Sequence, residues 1–252
     1  MPSIYDYPAI YDVIMRTSTD QISVEIDAID LLLRERDISN ARILEIASGT
    51  SPHGIPLSQQ GHTVTGIDLS QPMITYVQQM DTQNAYIHAD LRNFTLQTAP
   101  FDCAIFMSET FPLITEYDDL VNHFNAVHRH LKKGGFYLID IDTQRSGYRH
   151  STKTWGHQTV VLPNGHVAFW YEDHPADWIR GINRLTMHTN IQTQTFKTAT
   201  ADHWDIRIYN PWTLSVFIKS LNNWQLHGFY SYCDQSQNIE NDDNYYMLLS
   251  AQ

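Results

Sequence analysis

Five short apolar runs alternate with helical patterns in the first 142 residues, and no other feature limits the fold of this chain as much. The runs are ARILEIA (41–47), HTVTGIDLS (62–70), NAYIHAD (84–90), FDCAIFMS (101–108) and GGFYLIDID (134–142). Before the first run, residues 20–36 place Ile22, Ile26, Ile29 and Leu33 on one face, the spacing of an amphipathic helix. Residues 71–79 follow Ser70 as an N-cap, with Pro72 in the first turn. Residues 116–131 align Leu120, Phe124, Val127 and Leu131. Thr115 and Asp118 have capping-box spacing at its start, and Lys132–Lys133–Gly134 closes it. Strands alternating with helices predict βαβ units and a parallel sheet, hence an α/β fold.

The pattern then changes. Between about 153 and 209 come QTVVLP, NGHVAFWYED, INRLTMHTNIQT and HWDIRIY, strand-like and divided by turns. Asn164–Gly165 is a hairpin signal. This stretch reads as an antiparallel β insertion. Asn210 and Pro211 then start a helix at 211–222, and WQLHGFYSYC and NYYMLLSA supply two more strands. The expected architecture is a seven-stranded, mostly parallel sheet with an antiparallel C-terminal strand, and the insertion after the fifth strand. Residues 1–150 and 210–252 form the core, and 151–209 the insertion.

Composition narrows the partners. With 252 residues, 42% of them hydrophobic, the chain can build one well-packed core. It carries 16 Lys and Arg against 28 Asp and Glu, a net charge of −12. Nucleic-acid binding rests on basic residues that neutralise phosphates, so neither a nucleic acid nor an anionic membrane is an expected partner. No apolar run approaches the roughly 20 residues that span a bilayer. MPSIYDYPAIYDVIMR is acidic and aromatic, unlike a signal peptide, and Cys103 and Cys233 are no disulfide framework. A soluble, cytoplasmic protein is expected, and a homodimer is compatible with the sequence. The 13 histidines are scattered without zinc spacing, so no metal is expected.

Three strand ends carry candidate chemistry. The first run ends in Glu45-Ile-Ala47-Ser-Gly49-Thr-Ser51. In open α/β sheets ligands bind at the carboxyl ends of strands, and glycine there allows close backbone approach. Alone this is equally a tight turn. Asp68 ends the second run, where a carboxylate can accept from ribose hydroxyls. Asp90 follows the third and could take an adenine amino group. Each aspartate could instead be a helix N-cap. Three in register are less easily assigned to capping.

At these residues the sequence resembles class I S-adenosylmethionine (SAM)-dependent methyltransferases. ILEIASGTSPHGIPLSQQGHTVTGIDLSQPMI, IHADLRNF, FDCAIF and HLKKGGFYLIDI are similar to four successive motifs of that family, in order, over about residues 40–142. NPWTLSVFIKSLNNWQLHGF is similar to its last helix and strand. The insertion and the amino-terminal PAIYDVI resemble small-molecule N-methyltransferases of the aminosugar N,N-dimethyltransferase or glycine/sarcosine type. The resemblance implies a Rossmann-like sheet, SAM as cofactor, a small-molecule methyl acceptor and an insertion (151–209) that covers the acceptor side. It implies that Glu45 and Gly49 flank the methionine end of SAM, and that Asp68 binds the ribose with Leu69 and Met73 beside the adenine. Asp90 and Leu91 would hold the adenine, Met107 would contact the methionine amino group through its backbone, and Tyr11 would lie over the methyl donor. Ala47 and Ser51 stand where the family pattern has glycine, and both are cofactor-loop candidates. The Asn/Asp-Pro-Pro motif of adenine- and glutamine-directed enzymes is absent; Met107-Ser-Glu109-Thr-Phe-Pro112 replaces it.

A base is needed only if the acceptor arrives protonated. Glu109 follows the fourth strand, and Asp140 and Asp142 end the fifth; with Tyr11, Glu109 and Asp142 are the catalytic candidates. Trp155, Phe169, Trp170, Tyr171, Trp178 and Trp204 could wall an acceptor pocket or form the insertion's own core. Glu109, Trp170, Arg207 and Tyr209 are the acceptor-binding candidates. Two rivals stand beside the methyltransferase. One is an NAD-dependent oxidoreductase, against which Pro52 occupies the place of the fingerprint's last glycine. The other is a SAM-binding protein without catalysis.

Overall fold

The computed structural model describes residues 2–142, 151–231, 234–238 and 244–252. Five strands run parallel at its centre: β1 (Arg42–Ile46), β2 (Thr63–Asp68), β3 (Ala85–His88), β4 (Phe101–Phe106) and β5 (Leu131–Asp142). They are joined by α3 (Gly54–Gln59), α4 (Gln71–Met80) and α5 (Tyr117–His130). Two helices precede them, α1 (Pro8–Met15) and α2 (Thr19–Arg34). After the insertion come α6 (Pro211–Ser220) and three strands, β10 (Trp224–Ser231), β11 (Asp234–Asn238) and β12 (Asn244–Ala251). The sheet order is β11-β10-β12-β5-β4-β1-β2-β3. β12 runs antiparallel to β5, from Asn244 opposite Asp142 to Ser250 opposite Phe136. The expected seven strands are present, and β11 adds a short eighth at the edge.

The inner strands are apolar on both faces, as strands covered by helices on both sides must be. Ile43, Leu44, Cys103, Ala104 and Ile105 have no solvent exposure. Order reverses between β1 and β4: the chain goes outward from β1 to β2 and β3, then returns to place β4 on the other side. The loops after β1 and β4 therefore diverge and leave a crevice at their carboxyl ends.

Two local expectations are corrected. The capping box at Thr115 and Asp118 does not form: Glu116 is the N-cap of α5 and makes no side-chain cap, while Thr115 Oγ1 donates to Glu116. Lys132–Gly134 do not end the helix but open β5, so helix and strand abut at Leu131. Asn210 behaves as predicted. Its Oδ1 accepts from Thr213 N–H at 2.8 Å, with Pro211 in the first turn of α6.

The insertion is an antiparallel meander of β6 (Lys153–Leu162), β7 (Gly165–Asp177), β8 (Ile182–Thr193) and β9 (Lys197–Arg207). Leu162 pairs with Gly165 across the predicted hairpin. A Cβ on Gly165 would meet Gln192 O at 2.0 Å, so the β7–β8 pairing there requires glycine. The inward side of this sheet shares a core with the amino-terminal segment: Ile4 and Ile14 pack with Val167, Phe169, Met187 and Ile191. Asp202 of β9 accepts from Ser3 Oγ at 2.5 Å and Ile4 N–H at 3.0 Å, which latches the first residues to the insertion. No described helix is long and apolar enough to cross a membrane.

Candidate active site

The loop after β1 repeats a left-handed backbone at alternate residues. Ala47, Gly49 and Ser51 have φ of 52°, 51° and 56°. Ala47 and Ser51 thus adopt the conformation that glycine takes for free, at a cost of about 1–2 kcal/mol each. The surroundings offset this cost. Ser48 N–H donates to Ile67 O at 2.9 Å, Ser51 N–H to Ser48 O at 2.6 Å, and Ser51 Oγ to Glu45. Glu45 Oε1 also accepts from Gly54 N–H at 3.1 Å. Glu45 is therefore a brace beneath the loop, not a group on its ligand face. Burial raises its pKa against the neighbouring His53 and the hydrogen bonds from Ser51, Gly54 and His53.

Asp68 closes the far side of the loop. Its Oδ2 accepts from Gly49 N–H at 2.8 Å and its Oδ1 from Ser70 N–H at 2.7 Å. A carboxylate has about four lone-pair sites, so each oxygen keeps capacity for a ribose hydroxyl. Burial raises the Asp68 pKa, against the backbone donors at Ser70 and Gly49. A Cβ on Gly49 would lie 3.8 Å from Tyr11 Cε1, so the Tyr11 ring roofs the loop. The donor set and the open backbone turn fit SAM.

The predicted adenine side is mixed. Leu69 is 60% exposed and open to a ligand, whereas Met73 is 1% exposed and belongs to the core under α4. Asp90 is clamped by Arg92, whose Nε lies 2.9 Å from Oδ1 and 3.0 Å from Oδ2 and which holds its carboxyl below the usual range. Leu91 packs against the main core, and its carbonyl accepts from His123 Nδ1 at 2.7 Å.

Beyond the donor loop lies a cavity of about 300 Å³, bounded by α1, α2, the loop after β4, and the inward side of the insertion. Trp155, Phe169, Tyr171 and Trp204 wall it, with Trp155 stacked on Tyr171 at 4.6 Å between centroids. Tyr5 and Tyr11 form the amino-terminal side. Its charged lining residues are Glu25, Glu109 and Asp140; no Lys, Arg or His is among the described lining residues. After buried Met107, Ser108 and Glu109 take left-handed φ of 61° and 53°. Asp140 Oδ2 fixes that turn by accepting Glu109 N–H at 3.0 Å.

Four candidates stand elsewhere. Trp170 points to the opposite face of β7 from Phe169 and Tyr171, as strand alternation dictates, and stacks between His157 and His188 at 5.7 and 4.9 Å. Arg207 donates from Nε to Thr115 O at 2.6 Å and from Nη1 to Arg180 O at 2.9 Å, a clamp on the chain before α5. Tyr209 is buried, packs on Phe111 at 4.9 Å and donates to Ile114 O. The Asp142 side chain lies outside the described residues, as does Cys233; the fifth-strand carboxylate in the cavity is Asp140. Trp178 is exposed beyond the end of β7. Glu25 and His53 escaped the sequence reading. The signal was available: Glu25 lies within the apolar stripe of α2, between Ile22 and Ile26, where a carboxylate needs partners.

Residues 43–135 match the family model described as Methyltransferase domain. Those residues form a methyltransferase domain. SAM is the cofactor of this domain's family. The cypemycin N-terminal methyltransferase of a Streptomyces species is 25% identical over 154 residues, covering 58% of this chain and 61% of that protein. The chain spans between 42% and 61% of the length of the curated relatives it matches. Among solved structures, a S-adenosylmethionine-dependent methyltransferase from Clostridium acetobutylicum superposes with a TM-score of 0.78 at 18% identity, over 97% of each chain. The sugar N-methyltransferase KedS8 from Streptoalloteichus superposes with a TM-score of 0.75 at 17% identity, over 94% of this chain and 92% of that one. At such identities the likeness establishes the shared fold: the methyltransferase sheet together with the four-stranded insertion.

Proposed function

We propose that the protein transfers a methyl group from SAM to a small-molecule acceptor, at an amine nitrogen or a hydroxyl oxygen, in the cytoplasm. The observation that carries this reading is the cavity itself. It reaches Tyr11, whose ring roofs the donor loop, and it is walled by aromatics with Glu109 and Asp140 at one side. A solved sugar N-methyltransferase of the same fold and a relative named for N-terminal methylation support nitrogen as the accepting atom. The acidic chain and the uncharged aromatic walls suit a free small molecule better than a nucleic acid.

Bound SAM supplies a methyl group already activated on a sulfonium. The protein's task is then alignment and the exclusion of water. Gly49 and its left-handed neighbours let the backbone approach the donor, and Asp68 holds the ribose. Tyr11, anchored through α1 to the insertion core, closes the donor off from solvent. Asp140 holds the turn that presents Glu109, and Glu109 binds a cationic acceptor or takes its proton.

Two measurements test the reading. Purified protein should convert SAM to S-adenosylhomocysteine with an acceptor from a panel of amines, phenols and carboxylates. Asp68→Ala should weaken S-adenosylhomocysteine binding at least 100-fold by calorimetry while circular dichroism stays native. Wild-type affinity in that variant would overturn the donor site.

A further inference from the structure

A chain of buried polar groups leads from the acceptor cavity to the donor loop. It begins on α2, whose Gln21, Ile22 and Glu25 line the cavity. Glu25 is 3% exposed. Its Oε1 accepts from Tyr246 O–H at 2.6 Å and from Gln21 Nε2 at 3.0 Å. Its Oε2 lies 2.6 Å from His53 Nε2. A carboxylate only accepts, so His53 Nε2 carries the proton. Burial pulls the Glu25 pKa up, but His53, Tyr246 and Gln21 outweigh it and hold the carboxyl below its ordinary value. His53 is itself buried, and its backbone N–H donates to a second carboxylate, Glu45. The Glu45 oxygens also accept from Ser51 Oγ and Gly54 N–H.

The purpose of the chain follows from Ser51. A non-glycine residue at φ 56° is strained, and its hydroxyl bond to Glu45 is what holds it there. Glu45 in turn is fully enclosed and keeps its place through the N–H groups of His53 and Gly54. His53 keeps its orientation through Glu25. A buried network of this kind is stiff when every member is satisfied and fails together when one is removed.

We propose that Glu25 and His53 are positioning residues for the donor site, tying the wall of the acceptor cavity to the 47–51 loop and compensating for the glycine that Ser51 replaces. This rests on that loop being the SAM cradle. Neither residue touches the donor; both act through Glu45 and Ser51.

The test is a double-mutant cycle read as S-adenosylhomocysteine affinity by calorimetry. Glu25→Gln keeps the shape and removes the charge, and should weaken binding about tenfold. In a Ser51→Gly background the loop takes its conformation without the brace, so the same change should weaken binding less than threefold. A purely structural role for Glu25 predicts equal factors in both backgrounds, and that result overturns the proposal. So does unaltered affinity in folded Glu25→Gln. Should Glu25→Gln not fold, Tyr246→Phe removes one donor to Glu25, and the cycle is run with it against the same criterion. If wild-type protein fails to bind S-adenosylhomocysteine, the donor assignment falls; binding without coupling removes the relay alone.

Discussion

The two sheets of this molecule place their candidate residues by opposite rules. In the parallel sheet, the candidates sit at strand ends: Asp68 ends β2, and Glu109 sits just beyond β4. Side-chain direction within the strands hardly matters there, because both faces are buried. In the insertion the chemistry is set by which face of a strand a residue occupies. Phe169 and Tyr171 look into the cavity, while Trp170 between them looks away. A parallel sheet under helices thus offers a rim, and a one-layer antiparallel cover offers a wall.

The largest expected effect comes from testing that wall directly. Phe169→Ala should cost about 3–5 kcal/mol in urea unfolding, the usual range for a buried phenylalanine, and should raise the KM of the acceptor found by turnover. Trp170→Ala, one residue away, should leave that KM within about twofold. Equal KM changes would break the distinction between the two faces.

A second measurement contrasts the interiors. His123 is fully buried in the parallel-sheet core, with Nδ1 donating to Leu91 O and Nε2 accepting from Tyr137 O–H at 2.7 Å. Burial lowers its pKa from 6.5 to about 4. The unfolded chain therefore binds a proton between these values that the folded chain refuses. Stability should be full above pH 6.5, fall as pH drops toward 4, and level off below, an effect of about 3 kcal/mol. His123→Gln should flatten that slope. In the cover, Glu172 is partly exposed and is held below its ordinary pKa by the hydrogen bond from His188 at 3.1 Å, a pair that solvent screens.

The smallest effect concerns Arg207. Removing its two carbonyl contacts by Arg207→Ala should cost about 1 kcal/mol in stability and leave the acceptor KM unchanged. A KM shift would return Arg207 to the acceptor side.

The same contrast explains what the sequence disclosed. The donor half was legible because strand-end residues are marked by the apolar run before them: Gly49, Asp68 and Glu109 can each be found by counting to the end of a strand. The cover was legible as an antiparallel hairpin array, since Asn164–Gly165 and alternating residues announce one. Its facing was not, because Trp170 and Tyr171 have equal claim to a pocket until the register is known. Arg207 and Tyr209 were misplaced for a related reason: their partners Thr115 and Ile114 lie more than 90 residues earlier, and no local pattern reports them. Glu25 was hidden in plain composition, an acid in an apolar stripe whose tyrosine partner comes from the last strand.

The latch between Ser3 and Asp202 has a consequence for the order in which the molecule is made. The two residues are 199 positions apart, and the Glu25–Tyr246 bond spans 221. Contacts of such separation form only after most of the chain exists, and the entropy of closing so large a loop must be met first. On the ribosome, the amino-terminal segment is synthesised first and seated near the end. The strands of the donor loop can pair before then, but the roof over it waits for β9, and the Glu25 network for β12. A nascent chain would therefore own a cradle for the methyl donor well before it owns a closed room in which to use it.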